Sequence, residues 1–300
     1  MKLILSRKGF DSTTCNGGVA SPILPGGTLL SLPIPRKESP ICYAQLRLGQ
    51  VDLTKVVADL KKDSRAILDS HGAHLDPDLN ATLYHPRLPG WRPIFGQVDA
   101  AQAHLERHGT TIGDLFLFFG WFRRVEPDEN GHYRFVKGAP DLHVIYGWLQ
   151  VGEVIRVNDK PSCVPQWASY HPHFYGERGA NNTVYIAREI LKLDGVPATI
   201  SGGGVFERYH EDLCLTAPGE DRRSVWRLPA WFYPKNERVP LSYHRNRKRW
   251  EQRGGWTFLR SVAKGQEFVM DTEQYPEALE WLASLMKNAA PSPVPGSYPS

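Results

Sequence analysis

The chain has 300 residues, 41% of them hydrophobic and 23% charged, with a net charge of +4. That composition is ordinary for a folded protein with core enough for one large domain or two small ones, and it excludes a disordered or collagen-like chain. No apolar run approaches the roughly 20 residues a membrane-spanning helix needs. The apolar start is interrupted by Arg7 and Lys8, which a signal peptide would not tolerate, so no membrane partner is expected and the cytoplasm is the expected location. The four cysteines, Cys15, Cys42, Cys163 and Cys214, lie too far apart in sequence for a zinc ribbon and are too few for a disulfide framework.

In chain order, residues 2–6 predict a short buried strand, followed by a polar loop through Gly17 and Gly18. Residues 23–32 predict a hairpin turning at Pro25-Gly26-Gly27 and stopped by Pro33 and Pro35, because proline cannot donate to a sheet ladder. The spacing of Leu53, Val56, Val57, Leu60, Ile67 and Leu68 predicts a helix over 53–68 with Asp52 as its N-cap. A loop rich in His, Asp and Pro runs on to about Gly96. A short helix over 99–108 should stop at Gly109. The run Leu115 to Phe122 is apolar throughout, as in a strand buried on both faces. A turn at 128–131 separates it from strands over 133–136 and 142–157. Then come a loop over 161–182, a short segment over 184–191 and a glycine turn at 201–204. A last helix begins near Pro276, with Leu279, Leu282, Leu285 and Met286 toward the core. The sum is an α+β, strand-rich single domain over 1–288, with a disordered Pro/Ser tail over 289–300.

Four segments carry candidate chemistry. Gly113-Asp114 opens an apolar strand, and Tyr146-Gly147-Trp148-Leu149-Gln150-Val151-Gly152 forms a later one. This pair resembles the PUA superfamily, with its ASCH, EVE and YTH domains, over about 98–157. The resemblance implies a small β-barrel or curved sheet flanked by helices. It also implies binding of RNA or of a flipped base in an aromatic pocket, where stacking and edge hydrogen bonds hold the base. Trp121, Trp148, Trp167 and Tyr170 are the stacking candidates; the competing reading of any one ring is ordinary core. The second segment is 243–253. If helical, it aligns Arg245, Arg249 and Arg253 on one face, with Arg247 and Lys248 beside them, for contacts to phosphate; the competing reading is a solvated charged face. The third is His171-Pro172-His173 with Glu177, a set for acid–base work or for a metal shared with the distant His210, Glu211 or Asp212. It resembles the His-apolar-His nucleases, with proline in the apolar place. The fourth is the N-terminal loop, where Arg7 and Lys8 could meet phosphate and Asp11 could act as acid or base. There is no GK[ST] ending, GxGxxG, GxSxG or HExxH, so no motif names a cofactor.

The chain as a whole resembles the third type of nucleotide-modification-associated domain, a bacterial and phage family. The residues that carry this are Met1 to Asp11, Ser21-Pro22-Ile23, Gly27 to Pro35, Gly113 to Arg123, His171-Pro172-His173 and Trp226-Arg227-Leu228-Pro229. The resemblance implies an association with DNA base modification and with other proteins of such systems, and no defined reaction. Three readings follow: a module that reads a nucleotide within nucleic acid, DNA in preference; a metal-dependent or acid–base enzyme acting on a base or nucleotide; and an interaction subunit. An enzyme should gather the N-terminal loop and the His171–His173 loop around one cleft. A reader should show a pocket walled by rings.

Overall fold

The computed structural model describes residues 1–10, 18–62, 64–84, 87–159, 163–175 and 179–289. Its first half runs β1 (Lys2–Arg7), β2 (Ser21–Ile23), β3 (Ile34–Arg36), β4 (Arg47–Leu48), β5 (Val51–Asp52), α1 (Leu53–Leu60), α2 (Arg65–Ser70), β6 (Gly72–His74), β7 (Ile94–Gln97) and α3 (Asp99–Arg107). The second half runs β8 (Leu115–Pro127), β9 (Tyr133–Phe135), β10 (Leu142–Arg156), β11 (Thr183–Ala187), β12 (Gly203–Val205), β13 (Val225–Pro229), β14 (Trp250–Arg253), β15 (Trp256–Arg260), β16 (Glu267–Asp271) and α4 (Glu277–Met286).

The central sheet has the order β16-β1-β8-β10-β11-β7, with β12 paired to β10 and both β2 and β9 paired to β8. β1 runs parallel to β8, with Leu3 opposite Leu115 and Leu5 opposite Leu117, and antiparallel to β16. Parallel neighbours are normally covered on both faces, which explains why Leu3, Ile4, Leu5 and Leu115 to Phe119 are apolar without alternation and wholly buried. Each such side chain contributes about 1.5–3 kcal/mol relative to exposure. β8 and β10 pair antiparallel from Gln150–Leu115 to Leu142–Phe122, with a bulge between Ile145 and Gly147. The two strands of the PUA resemblance therefore pair, but the resemblance is not confirmed: of the small barrel or curved sheet it implies, no closed barrel forms among the described strands. The α+β, strand-rich architecture is as expected.

Asp52 caps α1, its Oδ1 accepting from the N–H groups of Thr54 (2.8 Å) and Lys55 (3.3 Å). The helix is shorter than predicted, because Lys61 leaves helical space at φ −128° and a separate α2 follows. The predicted 23–32 hairpin is reduced to a tight turn and a single bridge, Ile23 to Leu29.

The arginine segment departs furthest from its predicted helix. A 3-10 turn at Arg247–Arg249 leads into β14, and β14 returns as β15. Gly254 and Gly255 both take positive φ, 57° and 77°, the twist a two-residue hairpin turn needs and an ordinary side chain resists. Trp250, Thr257 and Leu259 point inward at alternate positions and are buried. Burial follows a period of two, so no i, i+4, i+8 row of arginines exists. With β13 these strands form a three-stranded sheet, ordered β13-β15-β14, whose Trp226, Leu228, Trp250 and Leu259 join the main core.

Among the described residues no helix is long and apolar enough to cross a membrane. The predicted tail, from residue 290 on, lies outside the described residues.

Candidate active site

Strand ends gather around one cavity of about 390 Å³. β1 delivers Arg7 and, just beyond its end, Lys8 and Gly9. β3 supplies Ile34 and Arg36. β6 ends at His74 and leads to Asp76; β7 ends at Gln97, followed by Val98 and Asp99. His173 and Asn182 arrive from the segment before β11, and Gln266 from the residue before β16. The volume is in the range of small-molecule sites. Gly9, Ile34, His74 and Asp76 also line a second, smaller cavity of about 60 Å³ that reaches Asp78 and Tyr146.

Asp76 is the electrostatic centre. Its Oδ1 accepts the N–H of Gly96 at 2.8 Å and lies 3.4 Å from His171 Nε2. Its Oδ2 lies 3.2 Å from His173 Nε2 and 3.9 Å from His74 Nε2. Burial alone would raise the pKa of this carboxyl, but the His173 and His171 rings outweigh it and hold the group well below the usual carboxylate range. Asp76 is therefore ionised.

The three rings differ. Burial depresses His171, which is 0% exposed; its Nδ1 accepts the His173 backbone N–H, so its proton sits on Nε2, toward Asp76. Burial pushes His74 down to about 4, and its Nδ1 is buried with no partner. His173 faces an oxygen at each nitrogen: Asp76 Oδ2, and Asn182 Oδ1 at 2.7 Å from Nδ1. The Asn182 amide is oriented by donating to the His173 carbonyl at 2.8 Å. The two oxygens between them engage both nitrogens of the ring. Among the described residues, no three His, Cys, Asp or Glu side chains are arranged to hold a metal ion. The rings surround the carboxylate and do not share an open point with it.

A second charged cluster sits at the β1 side. Lys8 Nζ is 3.0 Å from Glu267 Oε1, 3.3 Å from Gln266 Oε1, and 4.6 Å above the Phe95 ring. Gln97 donates to the same Glu267 oxygen at 2.7 Å, while Glu267 Oε2 is buried without a partner. Arg7 is spent on the carbonyls of Ala263 and Gly265, so it ties down the approach to β16. Asp99 holds a φ of 54° at the start of α3, and its Oδ1 accepts from Ala180 N–H at 2.9 Å. Positive φ at a non-glycine residue is strain of the kind concentrated at functional sites.

The structure thus brings together Arg7, Lys8 and His173, with His171 directly behind. Asp11 and Glu177 lie outside the described residues. The stacking candidates are elsewhere. Trp148 is 2% exposed, donates to the Ser201 carbonyl and packs on Phe206, so it is core. Tyr170 is tied at its hydroxyl, which donates to Asp78 Oδ2 (2.5 Å) and accepts from Trp91 Nε1 and Arg87 Nη1 (both 2.8 Å). Trp167 packs against the cluster around Ile94 and Ile155, and Trp121 lies under the Arg223 guanidinium at 4.3 Å. None of Arg245, Arg247, Lys248, Arg249 and Arg253 lines the cavity. Arg247 donates to the Pro234 and Asn236 carbonyls, Arg249 to that of Arg260, and Arg253 lies 3.7 Å from Glu220. His210 is paired with Asp212 at 3.1 Å, away from this cavity.

Sequence reasoning missed Asp76, His74, Gln97, Asn182 and Glu267 as site residues. One signal was present: His74-Leu75-Asp76 has the same alternation as His171-Pro172-His173.

Fold and site together define a strand-rich α+β protein with a polar, acid- and histidine-lined cleft. The chain belongs to the nucleotide modification associated domain 3 family, whose model matches residues 2–271, every strand from β1 to β16. No curated protein and no solved structure matches it. The family's description ties the chain to nucleotide modification.

Proposed function

We propose that this protein is an enzyme that modifies a base or nucleotide, with DNA the favoured source, by acid–base chemistry in the cleft. One observation carries the reading: the N-terminal cations and the His173 loop line the same cavity, together with an ionised carboxylate. Among the described residues the cavity's aromatic lining is two imidazoles, His74 and His173, which is not the pair of ring walls that recognition by stacking needs.

Each group has a role its surroundings support. Lys8 supplies fixed positive charge for a phosphate, and Arg36 lines the same cavity. His173 is the proton donor: a developing anion that displaces one of its two oxygen partners takes the proton from that nitrogen, and water returns it, with Asp76 as the neighbouring negative charge. His74, kept neutral by burial and with its Nδ1 closed to solvent, forms the wall beside Asp76 without adding charge. Asn182 and His171 are positioning residues that fix the His173 ring and its loop.

The test combines binding and product analysis. The protein is titrated with the four deoxynucleoside monophosphates and with short oligodeoxynucleotides, and the pool is then read by mass spectrometry. Binding should weaken in Lys8→Met, and a mass change seen with the native protein should vanish in His173→Gln. Binding indifferent to Lys8→Met, or a product that survives His173→Gln, removes the cleft from the chemistry.

A further inference from the structure

The three-stranded sheet has a second face. Its inner side chains are core, while the alternate positions of β13, β14 and β15 point away from it. Trp256 stands on that outer face at 43% exposure, a large ring that nothing in the core explains. Phe258, two residues on along β15, is half-buried on the same face. Two residues of strand separate these rings by about 7 Å.

Cations interleave them. The Arg227 guanidinium lies 4.6 Å from the Trp256 ring centre, and that of Arg253 lies 4.1 Å from Phe258. Arg260 is exposed at the other end of β15, and the Arg247–Arg249 turn adds further positive charge at its flank. Two acids approach Arg253: Glu220 Oε1 lies 3.7 Å from its Nη2, and Glu251 Oε1 lies 4.0 Å from its Nε. Adjacent rings, each with a guanidinium over one side and its other side open to a base, match a polymer of planar rings joined by anions.

We infer that the outer face of the β13-β15-β14 sheet binds single-stranded DNA, two consecutive bases stacking on Trp256 and Phe258 and the phosphates meeting Arg227, Arg253 and Arg260. A duplex keeps its base faces covered by neighbouring pairs, so it cannot use the rings. DNA is the source favoured by the proposed function, and an RNA strand of the same sequence is the competing outcome of the test. The site is separate from the cleft and stands whether or not the acid–base reading holds.

Fluorescence anisotropy of the full chain with a labelled 12-nucleotide mixed-sequence strand tests this. Trp256→Ala should weaken binding at least about fivefold, the lower end for loss of one stacked base, while Trp256→Phe keeps most of the affinity. Arg227→Gln/Arg253→Gln/Arg260→Gln should lower the log–log salt slope by roughly 2, at about 0.7 per phosphate contact. Equal or tighter binding of a hairpin duplex or of the same sequence as RNA would overturn the proposal. So would unchanged binding by Trp256→Ala in a protein whose circular dichroism matches the native one.

Discussion

At Gly96 the backbone of β7 and the His173 ring come close enough that a side chain cannot fit between them. A Cβ built there would collide with the imidazole, and the same residue's N–H holds Asp76 Oδ1. Gly96→Ala must therefore push His173 off Asp76 while the surrounding core stays in place. We expect product formation to fall about tenfold or more, since misplacing a catalytic group by an ångström costs up to about a hundredfold. Turnover together with thermal unfolding checks this, because a merely structural role for Gly96 would lower both alike. A different residue-scale test concerns Arg87 and Asp78, each side chain 1% exposed, joined by two hydrogen bonds at 2.5 and 2.9 Å. The guanidinium also sits 4.5 Å from the Trp91 ring. Arg87→Met leaves a buried carboxylate uncompensated and should destabilise by about 3–5 kcal/mol. Urea unfolding should show Arg87→Met/Asp78→Asn recovering part of that loss.

At the scale of elements, local chemistry predicted what local chemistry decides. Asp52 was legible as a cap because its side chain serves N–H groups two and three residues away, and Asp52→Ala should lower stability by about 1 kcal/mol in urea unfolding. β1, α3, β8 and β10 were legible as well, since an unbroken apolar run and a glycine stop after a helical period are strong signals. The arginine segment misled because arginines at 245, 249 and 253 suit a helical period, while the stronger signal lay beyond them in Gly254-Gly255 and the alternation after it. The candidate site was legible only in pieces. Lys8 and His173 stood out as reactive types, but Asp76 sits in a proline-rich loop and its value comes from three histidines that long-range packing brings to it. No local pattern in the sequence shows that residues 7–9, 74–76, 97–99, 266–267 and His173, Gly179 and Asn182 converge.

For the whole molecule, the buried histidines set the response to acid. Burial lowers His74, His104 and His244 to about 4 and His143 to about 3. Hydrogen bonding agrees for two of them: Trp226 Nε1 donates to His143 Nδ1 at 3.0 Å, and Val262 N–H to His244 Nε2 at 3.2 Å, so both rings are needed neutral. An unfolded chain takes up these protons near pH 6.5. Between there and about pH 4 the unfolded state binds more protons, so stability falls as the pH is lowered. Each group contributes up to about 1.4 kcal/mol per pH unit. Asp76 acts lower down, since its depressed carboxyl stabilises the fold above about pH 4 and loses that contribution only on further acidification. The urea midpoint should therefore drop steeply from pH 6.5 to pH 5, and His143→Gln should flatten that drop. An unchanged midpoint across the interval would contradict the assignment of neutral buried rings.

β1, the first of the described strands, is completed by the last of them. Its two neighbours in the sheet are β8, more than a hundred residues on, and β16, at residues 267–271. During synthesis the apolar segment Leu3-Ile4-Leu5 gains β8 only after more than a hundred further residues, and its other edge stays open until β16 is made. Pairings so distant in sequence form slowly, and an unpaired apolar strand is prone to association while it waits. A chain truncated before residue 267 should be aggregation-prone, and one carried on through residue 289, which adds β16 and the core side chains of α4, should not be.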